Sequence, residues 1–273
     1  MKISFYCSRW GQEHLPWDLF FRRVQQEGFD GVETALPLSR MEQEPILNGL
    51  RKYGLTLVGQ HWDTVTADYS SHAKELELRL RSMVGAGAVL ITSHTGKDYF
   101  SFEQNTQLLL ISKRIAQENN VTIIHETHRG KFSYAAHITR KYLEAIPSLR
   151  LNLDISHWYT VAESYLGDQA AAVDLAISRT EHVHARIGHT QGPQVADPRD
   201  PEWGHAVRQH LEQWDKVVSR HRLAGSSDLG FTCEFGPLPY MQFYPFTKRP
   251  LSDQWEVNAY MKSFLRERYK GLV

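Results

Sequence analysis

Short runs rich in Val, Ile and Leu alternate strictly with longer helix-like runs, eight of each, along the whole chain. The short runs are KISFYC, FDGVETAL, LTLVGQHW, AVLITSH, VTIIHET, LRLNLDISHW, HVHARIGH and FTCEF. Their near-continuous apolar character is that of strands covered on both faces, as in a parallel sheet flanked by helices. The runs between them carry helix punctuation. PWDLFFRRVQQEG opens on Pro16 and closes on Gly28, and EQEPILNGLRKYG closes on Gly54. The other six begin at Ser70, Ser101, Ser133, Asp168, His205 and Ser252.

Strict alternation leaves few topologies. Eight βα units in 273 residues read as one α/β domain, a single (βα)8 TIM barrel spanning residues 1–273. A doubly wound open sheet is the other solution, but no G-x-G-x-x-G follows the first strand to support it. Two connections are long and proline-rich, Gly188 to Gly204 and Gly236 to Ser252. Both leave C-terminal strand ends, the face on which barrel enzymes build their sites, and loops of that length are usually functional.

Composition removes several classes of function. With 31 basic and 31 acidic side chains the net charge is zero, which argues against a nucleic-acid partner. Cys7 and Cys233 are the only cysteines, too few for a disulfide framework or zinc ribbon, and ordinary packing is their expected role. No apolar run is long enough to span a membrane, and MKISFYCSRW is too short and polar for a signal peptide. The expectation is a soluble cytoplasmic protein with no membrane partner. A homo-oligomer is compatible with the sequence and not required by it.

The fourteen histidines are the compositional clue, because they collect with acids at strand ends. Strand two ends with Glu33, strand three with His61, Trp62 and Asp63, and strand four with His94. Strand five ends with Glu126 and His128, strand six with Asp154 and His157, strand seven with His184, Arg186 and His189, and strand eight with Glu234. Side chains in a strand alternate between faces. Glu126 therefore shares a face with Thr122, Asp154 with Asn152, His184 with His182, and Glu234 with Thr232. These polar rows are expected to point into the barrel. Four consecutive strands then bring Glu126, Asp154, His184 and Glu234 to one rim, where carboxylates in a partly dry site repel one another. A single divalent metal ion relieves this, and three carboxylates with one imidazole suit Mn2+, Mg2+, Co2+ or Zn2+. Taken alone, Asp154 and His157 would also fit a helix cap with a ring beside it.

With those residues in place, the chain resembles the xylose-isomerase-like TIM-barrel superfamily of sugar isomerases and epimerases. In layout it is most similar to the ketose 3-epimerases and hydroxypyruvate isomerases. The resemblance runs through nearly the whole chain and includes the D-x-x-H of Asp154 and His157 and the H-x-H of His182 and His184. It implies a metal held by Glu126, Asp154, His184 and Glu234, and a sugar-like small-molecule substrate. It also implies an isomerase in which Glu126 and Glu234 move a proton beside a carbonyl through an enediolate. His157, Arg186, Glu33, His61 and Trp62 form the expected substrate-binding set, with Glu33 read equally as a partner for a neighbouring base. Trp10, Trp62 and Trp158 are candidate apolar walls. The chain departs from the ketose 3-epimerases at Thr190, where they carry an arginine six residues beyond the strand-seven ligand. The substrate therefore does not carry over.

Two other readings compete. Apurinic-site endonucleases of this fold use three zinc ions and further histidines, for which His61 and His94 are candidates. Their D-x-H has no match here, since the loop reads Asp197-Pro198-Arg199. The other reading is a catalytically inactive barrel that only binds a ligand.

Overall fold

The computed structural model describes residues 1–272. The eight apolar runs form strands β1 Lys2–Ser8, β2 Gly31–Thr34, β3 Thr56–His61, β4 Leu90–Ser93, β5 Thr122–Glu126, β6 Leu151–Leu153, β7 Thr180–His184 and β8 Asp228–Cys233. They pair in parallel in sequence order, and β8 returns to β1, closing a barrel. Closure leaves no sheet edge to protect. Nine α-helices surround it among the described residues: α1 Trp17–Glu27, α2 Arg40–Tyr53, α3 Tyr69–Gly85, α4 Phe102–Asn119, α5 Ala136–Ala145, α6 Ile155–Ala162, α7 Ala170–Ser178, α8 Gly204–Leu223 and α9 Gln254–Arg268.

The expected glycine stops hold. Gly28 and Gly54 follow α1 and α2 in the left-handed conformation, at φ 82° and 65°, and each donates its N–H back to the last turn. That conformation suits a residue without Cβ. The hydrophobic layer lies between strands and helices and includes Phe20, Val24, Leu76, Leu80, Val183, Trp214 and Phe231. Burying each such side chain contributes about 1.5–3 kcal/mol. Cys7 and Cys233 face each other in register across β1 and β8 and are buried in this layer as free thiols.

The barrel interior is polar, as the alternation requires. Tyr6 lies 5.6 Å from the His182 ring, His182 bonds Thr232 (2.8 Å), and Asn152 donates to Thr92 (2.9 Å). Glycine makes the room: a Cβ on Gly230 would sit 2.3 Å from His182 Nδ1, and one on Gly31 2.8 Å from the Tyr6 ring.

The sixth strand differs from its expected extent. LRLNLDISHW is not one strand, because β6 ends at Leu153 and α6 begins at Ile155. Asp154 is the N-cap, accepting from the Ser156 N–H at 3.0 Å. A short acceptor side chain at this position satisfies a helix N–H that has no partner within the helix. This adds a helix to the eight expected, and the helix-cap reading of Asp154 is correct alongside its place on the rim.

Candidate metal centre and cavity

The C-terminal ends of β5 to β8 converge. Glu126 is the last residue of β5, Asp154 follows β6, His184 ends β7, and Glu234 follows β8. One donor atom from each of the four lies within 4.8 Å of the others. All four are buried, Glu126 and Glu234 at 1% and 3% exposure. The expected rim is therefore assembled, with three carboxylates around one imidazole.

The imidazole is held by its far nitrogen. His184 Nε2 lies 2.9 Å from Glu33 Oε1, and Glu33 also accepts from the Thr232 hydroxyl. His184 Nδ1 faces the other way, 2.9 Å from Glu234 Oε2 and 3.4 Å from Glu126 Oε2. Neither approach has hydrogen-bond alignment, so Nδ1 is a buried nitrogen without a partner. Burial pulls His184 toward its neutral form, but Glu234, Glu33 and Glu126 outweigh it and raise its proton affinity well above normal. Burial also opposes ionisation of Glu33, yet His184 and His182 bring its pKa down to about 2. The cluster thus draws positive charge to the point between its carboxylates, where a proton and a metal compete for the same nitrogen. Donor types, spacing and the unpartnered Nδ1 all fit a divalent ion.

Other side chains hold the carboxylates in place. His94 Nε2 lies 2.6 Å from Glu126 Oε2, and Gln60 Nε2 donates to Glu234 Oε1 at 2.9 Å. Arg186 pairs with Asp154 and lies 3.8 Å from Glu234. Burial raises the Asp154 pKa to about 6, although Arg186 works against the rise. Ser133 fastens the loop after β5. Its hydroxyl donates to the Glu126 carbonyl and accepts from the His128 N–H, while its own carbonyl accepts from Trp158 Nε1 at 2.7 Å.

A cavity of about 840 Å3 opens over this cluster. Its lining includes Trp10, Trp62, Glu126, Lys131, Arg186 and Glu234. Trp62 and Arg186 are therefore where a substrate contact was expected. Three other members of that set are not. Glu33 is fully buried behind His184. His61 is fully buried and bonded to Ser93 (2.8 Å) and Thr64 (2.7 Å). His157 is fully buried between Arg129 Nε at 3.0 Å and Arg186 at 2.9 Å. Each spends its polar atoms on protein partners rather than on the cavity. Trp158 is 1% exposed and belongs to the core, not to an apolar wall.

Sequence reasoning missed Gln60 and Tyr240 as lining residues. Gln60 sits two residues after Val58 on β3, so the period-two rule that selected Glu126 also points to it. Tyr240 lies in a connection, where no periodicity marks it.

The family model for the xylose isomerase-like TIM barrel matches residues 21–232. Among solved structures, a D-tagatose 3-epimerase-like protein is 13% identical with a TM-score of 0.64, covering 99% of this chain and 100% of that one. A xylose isomerase-like TIM barrel protein from Mycobacterium smegmatis, in complex with magnesium, is 11% identical with a TM-score of 0.62, covering 97% and 95%. Endonuclease IV from Thermus thermophilus is 14% identical with a TM-score of 0.58, covering 98% and 100%. No curated protein matches the chain. At these identities the structural likeness speaks for the fold alone. The family match covers most of the chain, and the chain belongs to the xylose isomerase-like TIM-barrel family.

Proposed function

We propose that the chain is a divalent-metal-dependent isomerase or epimerase of sugars or sugar derivatives. The observation that carries this reading is the His184 ring, with Nε2 bound to Glu33 and an unpartnered Nδ1 turned toward Glu126 and Glu234. Glu126, Asp154, His184 and Glu234 are the residues that would hold the ion. When bound, it supplies Lewis-acid polarisation of substrate oxygens.

The chain's own residues do the rest. Glu126 and Glu234 both line the cavity, so each has access to a bound ligand. One takes a proton from carbon beside a carbonyl, and the other gives one back. Return on the opposite face epimerises; return at the neighbouring carbon isomerises. His94 and Gln60 fix the two carboxylates, which keeps their oxygens aimed without reorganisation during the reaction. Trp10, Trp62 and Tyr240 supply the ring surfaces that pack on a sugar's C–H face.

The test is deuterium uptake from solvent into candidate ketoses by the manganese-loaded protein, followed by NMR. Glu126→Gln and Glu234→Gln should each lower exchange by about 10²–10⁴-fold. Exchange unchanged in both variants ends the proposal.

A second reading has one observation in its favour. His94, Glu126 and His128 also offer donors within 4.8 Å of one another, as a multi-zinc phosphoesterase would need. Against it, His61 is committed to Ser93 and Thr64, and Asp197 is paired with Arg199. Elemental analysis separates the two: one ion per chain for the isomerase, about three zinc ions for the phosphoesterase.

A further inference from the structure

Four lysine and arginine side chains are buried among the described residues, and two of them, Arg9 and Lys131, line the cavity without an ion pair. Arg186, 1% exposed, pairs with Asp154. Lys262, 4% exposed, reaches Glu27 Oε1 at 3.0 Å. Arg9, 8% exposed, donates to the Leu15 carbonyl at 2.6 Å and lies 4.2 Å over the Trp17 ring, with its Nη1 left without a hydrogen-bond partner. Lys131 is 7% exposed, yet among the described residues its ammonium has neither a hydrogen bond nor an ion pair. It lines the cavity, on the wall formed by the loop after β5.

The position of Lys131 is built rather than incidental. Its N–H donates to the His128 carbonyl at 3.2 Å, and its own carbonyl accepts from the Tyr134 N–H at 3.2 Å. The next residue, Phe132, is 1% exposed and donates its N–H to the Thr95 carbonyl at 3.3 Å. The backbone is therefore tied down on both sides of the side chain. A lysine that lines a ligand cavity with no partner in the protein is available to a ligand group of opposite charge. Burial, with Lys97 nearby, lowers the Lys131 pKa to about 8, which still leaves it mostly protonated at neutral pH.

We propose that Lys131 binds a carboxylate of the substrate, so that the cavity takes an acidic polyhydroxy compound rather than a neutral sugar. The assignment deepens the isomerase reading and rests on it only for which end of the ligand reacts. Glu126 and Asp98 already act on Lys131 as negative charges, which favours a singly charged carboxylate over a phosphate dianion there.

The experiment compares matched probes by calorimetry on the full chain, with and without manganese. Glycolate, D-glycerate and D-glucuronate are set against ethylene glycol, glycerol and D-glucose, with D-glucose 6-phosphate as the phosphate arm. At least one acid should bind about tenfold tighter than its neutral counterpart. Lys131→Met should remove that preference without weakening the neutral probe, and Lys131→Arg should keep part of it. The ligand-free Lys131→Met protein should melt no lower than the parent, since it loses only an unpaired charge. The assignment is overturned by no acid preference in any pair, or by a preference that survives Lys131→Met. A larger Lys131-dependent gain for the phosphate also overturns it. The manganese-free arm separates a carboxylate held by the ion from one held by Lys131. Because binding needs no turnover, failure of the isomerase reading would appear in deuterium exchange and leave this result standing.

Discussion

Glu33 Oε1 lies 2.9 Å from His184 Nε2, on the nitrogen opposite the one that faces the carboxylate cluster. A carboxylate there fixes the Nε2–H tautomer and leaves the Nδ1 lone pair free for a metal. Glu33→Gln can present an amide N–H to the same nitrogen and reverse the tautomer. Manganese affinity, measured by titration, should fall about 10–100-fold. An unchanged affinity would remove Glu33 from the metal centre.

Arg186 supplies positive charge to the cluster through Asp154. Arg186→Met should destabilise the metal-free protein by about 3–5 kcal/mol, because it leaves buried carboxylates less compensated. Manganese should restore part of that loss, since it places a cation among the same oxygens. Urea unfolding of the variant with EDTA and with manganese measures both effects. A variant as stable as the parent in EDTA would show that Arg186 is not the counter-charge.

Among the predicted site residues, those at strand ends were the legible ones. Glu126, Asp154, His184 and Glu234 could be placed because period-two alternation and strand order are both local properties of the text. Glu33 was placed only halfway, as its partner His184 lies 151 residues away and on a strand that is not its neighbour. Helix α6 was hidden because its first five residues, Ile155 to Tyr159, are all buried, leaving no polar stripe to announce a helix. His157 was misplaced for the same reason. A ring expected at the cavity is closed in between two guanidinium groups that only the assembled barrel brings together.

His210 provides an acid-stability test away from the site. Its Nδ1–H donates to the Ala206 carbonyl at 2.9 Å, and its Nε2 accepts from the Gly188 N–H at 3.2 Å. Both bonds require the neutral ring, and burial lowers its pKa to about 4. The unfolded chain takes up this proton near pH ~6.5, so between these values it binds more protons than the folded chain. The stabilisation is complete above pH ~6.5 and is lost as pH falls toward the folded value, up to about 3 kcal/mol. Denaturant titrations across this window should show a slope smaller by about one proton in His210→Gln. An identical slope would mean that the ring titrates normally.

Gly230 tests the interior packing. A methyl group there would meet His182 Nδ1 at 2.3 Å and Cε1 at 2.5 Å, and His182 is held by Thr232. Gly230→Ala should cost about 1–3 kcal/mol by overpacking. A urea midpoint equal to that of the parent would show that the His182 ring is free to move aside.

Ser133 sets the terms on which this cavity can change its ligand. Three anchors meet at that one residue: the backbone of Glu126, the start of the following loop at His128, and Trp158 on α6. The loop is therefore a clasp with a fixed hinge pin and a replaceable tooth. Lys131 can be exchanged to suit a different ligand while the pin keeps the floor and the wall in register. Loss of Ser133 would loosen Glu126 and the cavity wall that carries Lys131 in a single step.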